Sequence, residues 1–175
     1  MTANRQTANL LGAVALSLTD KLRSAVENAT GFGGEAAAAL VTIGAEPDST
    51  IGFVASVIGL SHSGTVRLID KLETEGLVKR RSGSDGRASA LRPTSKGKKR
   101  VRTILDARES ALSEALAGLS ISQRNDLSQL LSILLQGQVM DSDDEHKVCR
   151  LCDISVCYPA GCPLQEEPGG VKFTG

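Results

Sequence analysis

LSHSGTVRLIDKLETEGLVKRRSGSDGRASALRPTSKG, residues 60–97, changes its hydrophobic period halfway along. Its first half spaces Val66, Ile69 and Leu72 at steps of three, which predicts a helix over about 61–75 with those three side chains turned inward. Ser63, Arg67, Lys71 and Thr74 then fall on the outer side, Ser61 can cap the start, and Gly76 stops the helix. The second half reads as two short strands, LVKRR and ASALRPT, around the polar turn SGSDGR. Pro93 and Thr94 start the next helix.

Working outward, residues 7–29 place Leu11, Val14, Leu18, Leu22 and Val26 at steps of three and four, so one long amphipathic helix is expected there. GFGG at 31–34 ends it, and the Ala-rich stretch 35–45 reads as a second helix. EPDST at 46–50 is a turn from which Ser49 or Thr50 can cap a short third helix through Val57, broken by Gly59. After the hairpin, a fifth helix carries an apolar stripe from Val101 to Leu119. A sixth, about 122–138, carries Leu127, Leu130, Leu131, Leu134 and Leu135. The expected fold class is mainly α with a small β-hairpin wing, a winged helix-turn-helix filling residues 1–140. DSDDE begins an acidic linker at 141–148, and residues 149–175 form a tail too short for a core of its own.

The chain has 175 residues with three Phe, one Tyr and no Trp, so its core must be mainly aliphatic. Its formal charge of zero hides a segregation. Residues 1–135 hold 17 Lys/Arg against 13 Asp/Glu, a net of +4, and residues 136–175 hold 3 against 7, a net of −4. Between Leu77 and Arg102 there are ten basic residues and one acid, Asp85. That density on a wing and the following helix is the footprint of phosphate neutralisation. The N-terminal half of the fourth helix is the part that reaches base edges in a major groove. Candidate DNA-binding residues are therefore Ser61, His62, Ser63, Gly64, Thr65, Arg67 and Lys71 on the helix, with Arg81 and Arg87 on the wing. Arg67 is the base reader, since the bidentate Arg–guanine pair is the commonest specific contact, or else it binds phosphate or pairs with Asp70. Arg87 suits sugar-phosphate or the minor groove. No His–Asp pair activates a serine and no glycine loop cradles phosphate, so no enzyme is expected.

Residues 60–97 closely resemble the heart of MarR-type transcriptional regulators. That pattern is LS-x-S-x-x-x-R-L-x-D-x-L, then E-x-x-GLV-x-R, then a wing ending in D-R-R and leading into L-T-x-x-G. The chain departs from it at Asp85-Gly86-Arg87, which lacks one wing arginine, and at Arg92-Pro93-Thr94. The resemblance implies a homodimer joined through the first, fifth and sixth helices (about 7–29 and 94–138), a pseudo-palindromic double-stranded operator, repression, and release by a small-molecule effector. It also implies that Asp85 braces the wing against an arginine.

All four cysteines lie in CRLCDISVCYPAGCP, residues 149–163. Cys149, Cys152, Cys157 and Cys162 are spaced Cys-x2-Cys-x4-Cys-x4-Cys, and four thiolates can close around one tetrahedral ion. Zinc is favoured. A [4Fe-4S] cluster is the alternative, because Cys162-Pro163 resembles ferredoxin-type loops, and free thiols or disulfides remain a third. His146 can replace one ligand. Placed after the sixth helix, the tail is expected beside the dimer interface, as a structural staple or a metal or redox sensor. The competing function is an anti-sigma-like, redox- or metal-switched protein-interaction module. Single-strand RNA binding through the tail lacks the aromatic and basic residues it needs. No run is long enough to span a membrane. LLGAVALSL at 10–18 continues into helical spacing without a cleavage site, so a cytoplasmic protein is expected.

Overall fold

Hydroxyl side chains set the helix starts that build the reading unit. In the computed structural model, which describes residues 2–82, 89–139, 142–157, 159 and 161–164, Thr50 accepts from the amide of Phe53 to open one helix. Ser61 does the same for Gly64, and Thr94 for Gly97. The order is α1 Thr2–Thr30, α2 Gly34–Ala45, α3 Ile51–Ile58, α4 His62–Thr74, β1 Val78–Ser82, β2 Ser89–Pro93, α5 Ser95–Leu116, α6 Ile121–Gln136, α7 Ser142–Cys149 and α8 Ile154–Cys157. Gly59 ends α3 at φ 72°, a left-handed cap that an L side chain resists. Across that turn the chain bends by 107° between α3 and α4, within the range of a helix-turn-helix.

The two strands pair antiparallel from Val78 opposite Pro93 to Ser82 opposite Ser89. A bridge between Ser49 and Leu91 ties the turn before α3 to the other edge of β2. Thus Ser49 serves the sheet and Thr50 caps the helix.

The core lies where α2, α3, α4, the sheet and α5 meet: Leu40, Ile43, Val54, Ile69, Leu72, Leu77, Leu91 and Ile104 are fully enclosed. Each such side chain contributes about 1.5–3 kcal/mol by leaving water. α2 is apolar on every side, so all its residues from Ala37 to Ile43 are buried. α1 and α6 differ. Leu10, Leu11, Val14 and Leu16 of α1 stand exposed, as do Leu130, Leu131, Ile133 and Leu134 of α6. Among the described residues these eight side chains find no cover, although the α1 stripe continues into the buried Val26.

The acidic stretch expected as a linker is instead largely helix α7, which turns back onto α3. His146 and Lys147 fall in its last turn, where a helix dipole favours basic side chains. The tail therefore sits on the winged-helix unit of its own chain. Among the described residues, no single helix is long and apolar enough to cross a membrane.

Candidate nucleic-acid interface and cysteine cluster

α4 turns Thr65, Ile69 and Leu72 into the core, so its buried face is rotated by one residue from the expected Val66, Ile69 and Leu72. This corrects one candidate. Thr65 is fully buried and its hydroxyl donates to the Ser61 carbonyl at 3.0 Å, so it packs rather than reads. Ser61, His62, Ser63, Arg67 and Lys71 are exposed, with Gly64 half-buried among them. Ser61 accepts from the Gly64 amide at 3.1 Å and lies 3.3 Å from the Ser63 hydroxyl, which fixes the first turn. Asp70 is taken by Arg80, and among the described residues Arg67 makes no ion pair. Its exposed guanidinium projects from the middle of the helix.

Arg80 locks the wing to the back of α4. It donates to Asp70 at 2.6 Å and to Glu73 at 2.5 Å, while its backbone amide donates to Glu73 at 3.1 Å. Asp70 is the first cause that holds the Arg80 guanidinium protonated beyond its usual range. Arg92 makes a two-pronged pair with Asp48, whose carboxyl it holds below the ordinary carboxylate range. Arg100 donates to the Thr30 carbonyl at 2.7 Å and lies over the Phe32 ring. Lys96 donates to the Glu75 carbonyl at 2.8 Å, and Arg102 pairs with Asp106 at 3.0 Å.

The dense basic run is therefore shared between architecture and surface. Lys79, Arg81, Lys98 and Lys99 are its exposed members without ion pairs among the described residues. Arg87 and Asp85, and with them the wing tip, lie outside the described residues.

The cysteines come together in two pairs. Cys149 ends α7, and the Cys152 amide donates to its carbonyl at 2.8 Å, a tight turn that puts both thiols on one side. The neighbouring Cys152 thiol pushes Cys149 up, and Cys149 brings Cys152 down to about 6, helped by Arg108 and Arg150. Asp153 then caps α8, accepting from the Ser155 amide at 3.0 Å. Cys157 closes α8, and Cys162 is buried. Burial first, and Cys162 second, push Cys157 up to about 11. The pairs sense each other electrostatically, Cys149 with Cys162 and Cys152 with Cys157. Among the described residues, no three His, Cys, Asp or Glu side chains already converge as a ligand set. His146 sits edge-on to Phe53 of α3, ring centroids 5.0 Å apart.

Between α1, α2 and the tail lies a cavity of about 260 Å³, bordered by Leu22, Val26, Ala37, Ile58, Arg150 and Leu151. It opens between the C-terminal half of α1 and the start of α2, next to Ile58 at the end of α3.

A bent helix pair, an exposed reader face and a braced hairpin define a winged helix-turn-helix protein. Residues 30–88 match the model of the MarR family. Two solved structures share the fold. A MarR family protein from Bacillus stearothermophilus is 23% identical with a TM-score of 0.70, over 78% of this chain and 95% of that one. MepR, a transcription regulator of the Staphylococcus aureus multidrug efflux pump MepA, is 17% identical with a TM-score of 0.66, over 74% and 96%. The transcriptional repressor MprA of Escherichia coli (strain K12) is 29% identical over 100 residues, 55% of this chain. The match spans 57% of that repressor's length. The chain has the winged helix-turn-helix fold, and its residues 30–88 match the MarR family. The family match ends before the cysteine tail.

Proposed function

We propose that the chain is a transcriptional regulator, a repressor, that binds a pseudo-palindromic DNA duplex as a homodimer in the cytoplasm. The observation that carries this reading is the exposed face of α4. Ser63, Arg67 and Lys71 project beside a 107° helix-turn-helix bend, and a wing anchored through Arg80 stands next to them. Arg67 reads a base edge, while Lys79, Arg81, Lys98 and Lys99 meet phosphates. The match to the MprA repressor supports the sense of regulation. The cavity between α1 and α2 is the effector site of this reading.

The dimer rests on the bare apolar stripes of α1 and α6, which a second copy would cover by two-fold symmetry. The doubly charged variant Leu130→Glu/Leu134→Glu is expected to sediment as a monomer and to lose at least about tenfold in affinity for a two-site duplex, because each copy then holds one half-site. A variant that stays dimeric would refute the α6 interface. A monomer that binds the duplex as tightly as the wild type would refute the two-fold operator.

The four cysteines bind a metal ion in this reading. Zinc fits the all-thiolate donor set best, and a [4Fe-4S] cluster is the second fit.

A further inference from the structure

Where the tail lies on α2 and α3, the three do not close fully. A cavity of about 40 Å³ remains, walled by Val41, Thr42, Val57, His146, Cys149 and Cys152. One water needs roughly 10–15 Å³ of such space, so the cavity has room for about two or three oxygen-sized atoms. Thr42 is buried, and its hydroxyl has no hydrogen-bond partner among the described residues. A buried hydroxyl left alone is costly, and a polar guest would satisfy it. The two cysteines on this wall are also joined by a turn, in which the Cys152 amide donates to the Cys149 carbonyl at 2.8 Å. Such a turn brings α-carbons three residues apart within about 7 Å, and a disulfide spans about 4.4–6.8 Å. Both residues are half-buried, within reach of small solutes.

We propose that this cavity is a peroxide site: hydrogen peroxide enters it, accepts a hydrogen bond from Thr42, and oxidises Cys149 and Cys152 to a disulfide. Peroxide has two heavy atoms, the size that the cavity admits. One thiolate attacks one peroxide oxygen, the O–O bond breaks, and the other oxygen leaves as hydroxide and takes up a proton. The product is a sulfenic acid and a first water. The second thiol then attacks the oxidised sulfur. The S–O bond breaks, and the departing hydroxide takes that thiol's proton to become a second water. Two electrons pass from sulfur to oxygen, so two thiols and one peroxide give one disulfide and two waters. The Thr42 hydroxyl donates to the leaving oxygen and stabilises the negative charge that grows there. Cys157 and Cys162 do not border the cavity and take no part. The reaction needs free thiols, so it belongs to the metal-free chain and is independent of the four-cysteine ion site proposed above.

The test uses the full-length chain, stripped with a chelator under argon and then treated with hydrogen peroxide. Trypsin cuts after Arg150, between the two cysteines. The expected result is a loss of two hydrogens in the intact mass, with residues 148–150 held to the peptide that follows until dithiothreitol is added. The variant Cys157→Ser/Cys162→Ser should form the same link at the same rate. Thr42→Val keeps the shape and removes only the unpartnered hydroxyl, so it should melt no lower than the wild type and yet oxidise about fivefold more slowly. Cumene hydroperoxide, too bulky for the cavity, should react about tenfold more slowly than hydrogen peroxide, each rate taken relative to that with glutathione. Oxidation that spares Cys149 and Cys152, or that joins only Cys157 to Cys162, would overturn the site. An undiminished rate in Thr42→Val, or equal rates with the two peroxides, would overturn the cavity as the place where peroxide binds.

Discussion

Raising monovalent salt from about 50 to about 200 mM should weaken duplex binding by about 10³-fold or more. The expectation follows from counting which cations remain for phosphate. Of the basic run on the wing and early α5, Arg80, Arg92, Lys96, Arg100 and Arg102 are committed to Asp48, Asp70, Glu73, Asp106 and the carbonyls of Thr30 and Glu75. Lys79, Arg81, Lys98 and Lys99 stay exposed, and Lys71 joins them from α4. Two-fold symmetry doubles that set to roughly ten, enough for the six to ten phosphate contacts that give a loss of about 10³–10⁵ over this range. Fluorescence anisotropy at five salt concentrations gives the slope. A nearly flat dependence would mean that these lysines and arginines do not meet phosphates.

Gly97→Ala should destabilise the fold by about 2 kcal/mol even though alanine is the better helix former. A Cβ built at Gly97 lies 2.0 Å from the Leu77 carbonyl oxygen and 3.0 Å from its carbon, both backbone atoms. That carbonyl cannot simply step aside, because it accepts the Thr94 amide at 2.9 Å and belongs to a fully buried residue next to β1. Overpacking of this kind costs about 1–3 kcal/mol, at the upper end against backbone, and helix propensity returns about 1 kcal/mol. For a chain of this size the melting temperature should fall by roughly 4–8 °C. A calorimetric scan that shows no change, or a rise, would contradict the close approach of α5 to the foot of the wing.

The sequence carried the helix order because its stop and start signals are local. Thr50, Ser61 and Thr94 form the caps expected of them, and Gly59 breaks the chain where it was read to. Long-range pairing was not legible. Nothing near Arg80 or Arg92 in the chain shows that Asp70 or Asp48 will claim them, so the basic run looked more available for DNA than it is. Thr65 could not be told from a surface residue either. Threonine can hide its hydroxyl by donating to a carbonyl four residues back, and the helix face then rotates by one position. The acidic run at 141–145 looked like a solvated linker, because charge without apolar spacing gives no helix period. Its docking is signalled mainly by His146 and Leu151, two residues that mean little until Phe53 and the core are seen beside them. The proximity of Cys149 and Cys152 was legible from their spacing. The pairing of Cys157 with Cys162 was not, because nothing in a four-residue gap says which neighbour each thiol meets.

The most direct measurement is selection of duplexes from a random-sequence pool, run in parallel with the wild type and with Arg67→Ala. The account predicts a two-fold-symmetric site for the wild type, its half-sites centred about one helical turn, roughly 10 base pairs, apart. It predicts that Arg67→Ala loses preference at one position in each half-site while still binding DNA. No enrichment with the wild type, or an identical site with Arg67→Ala, would contradict the claim that α4 reads base edges from a symmetric dimer.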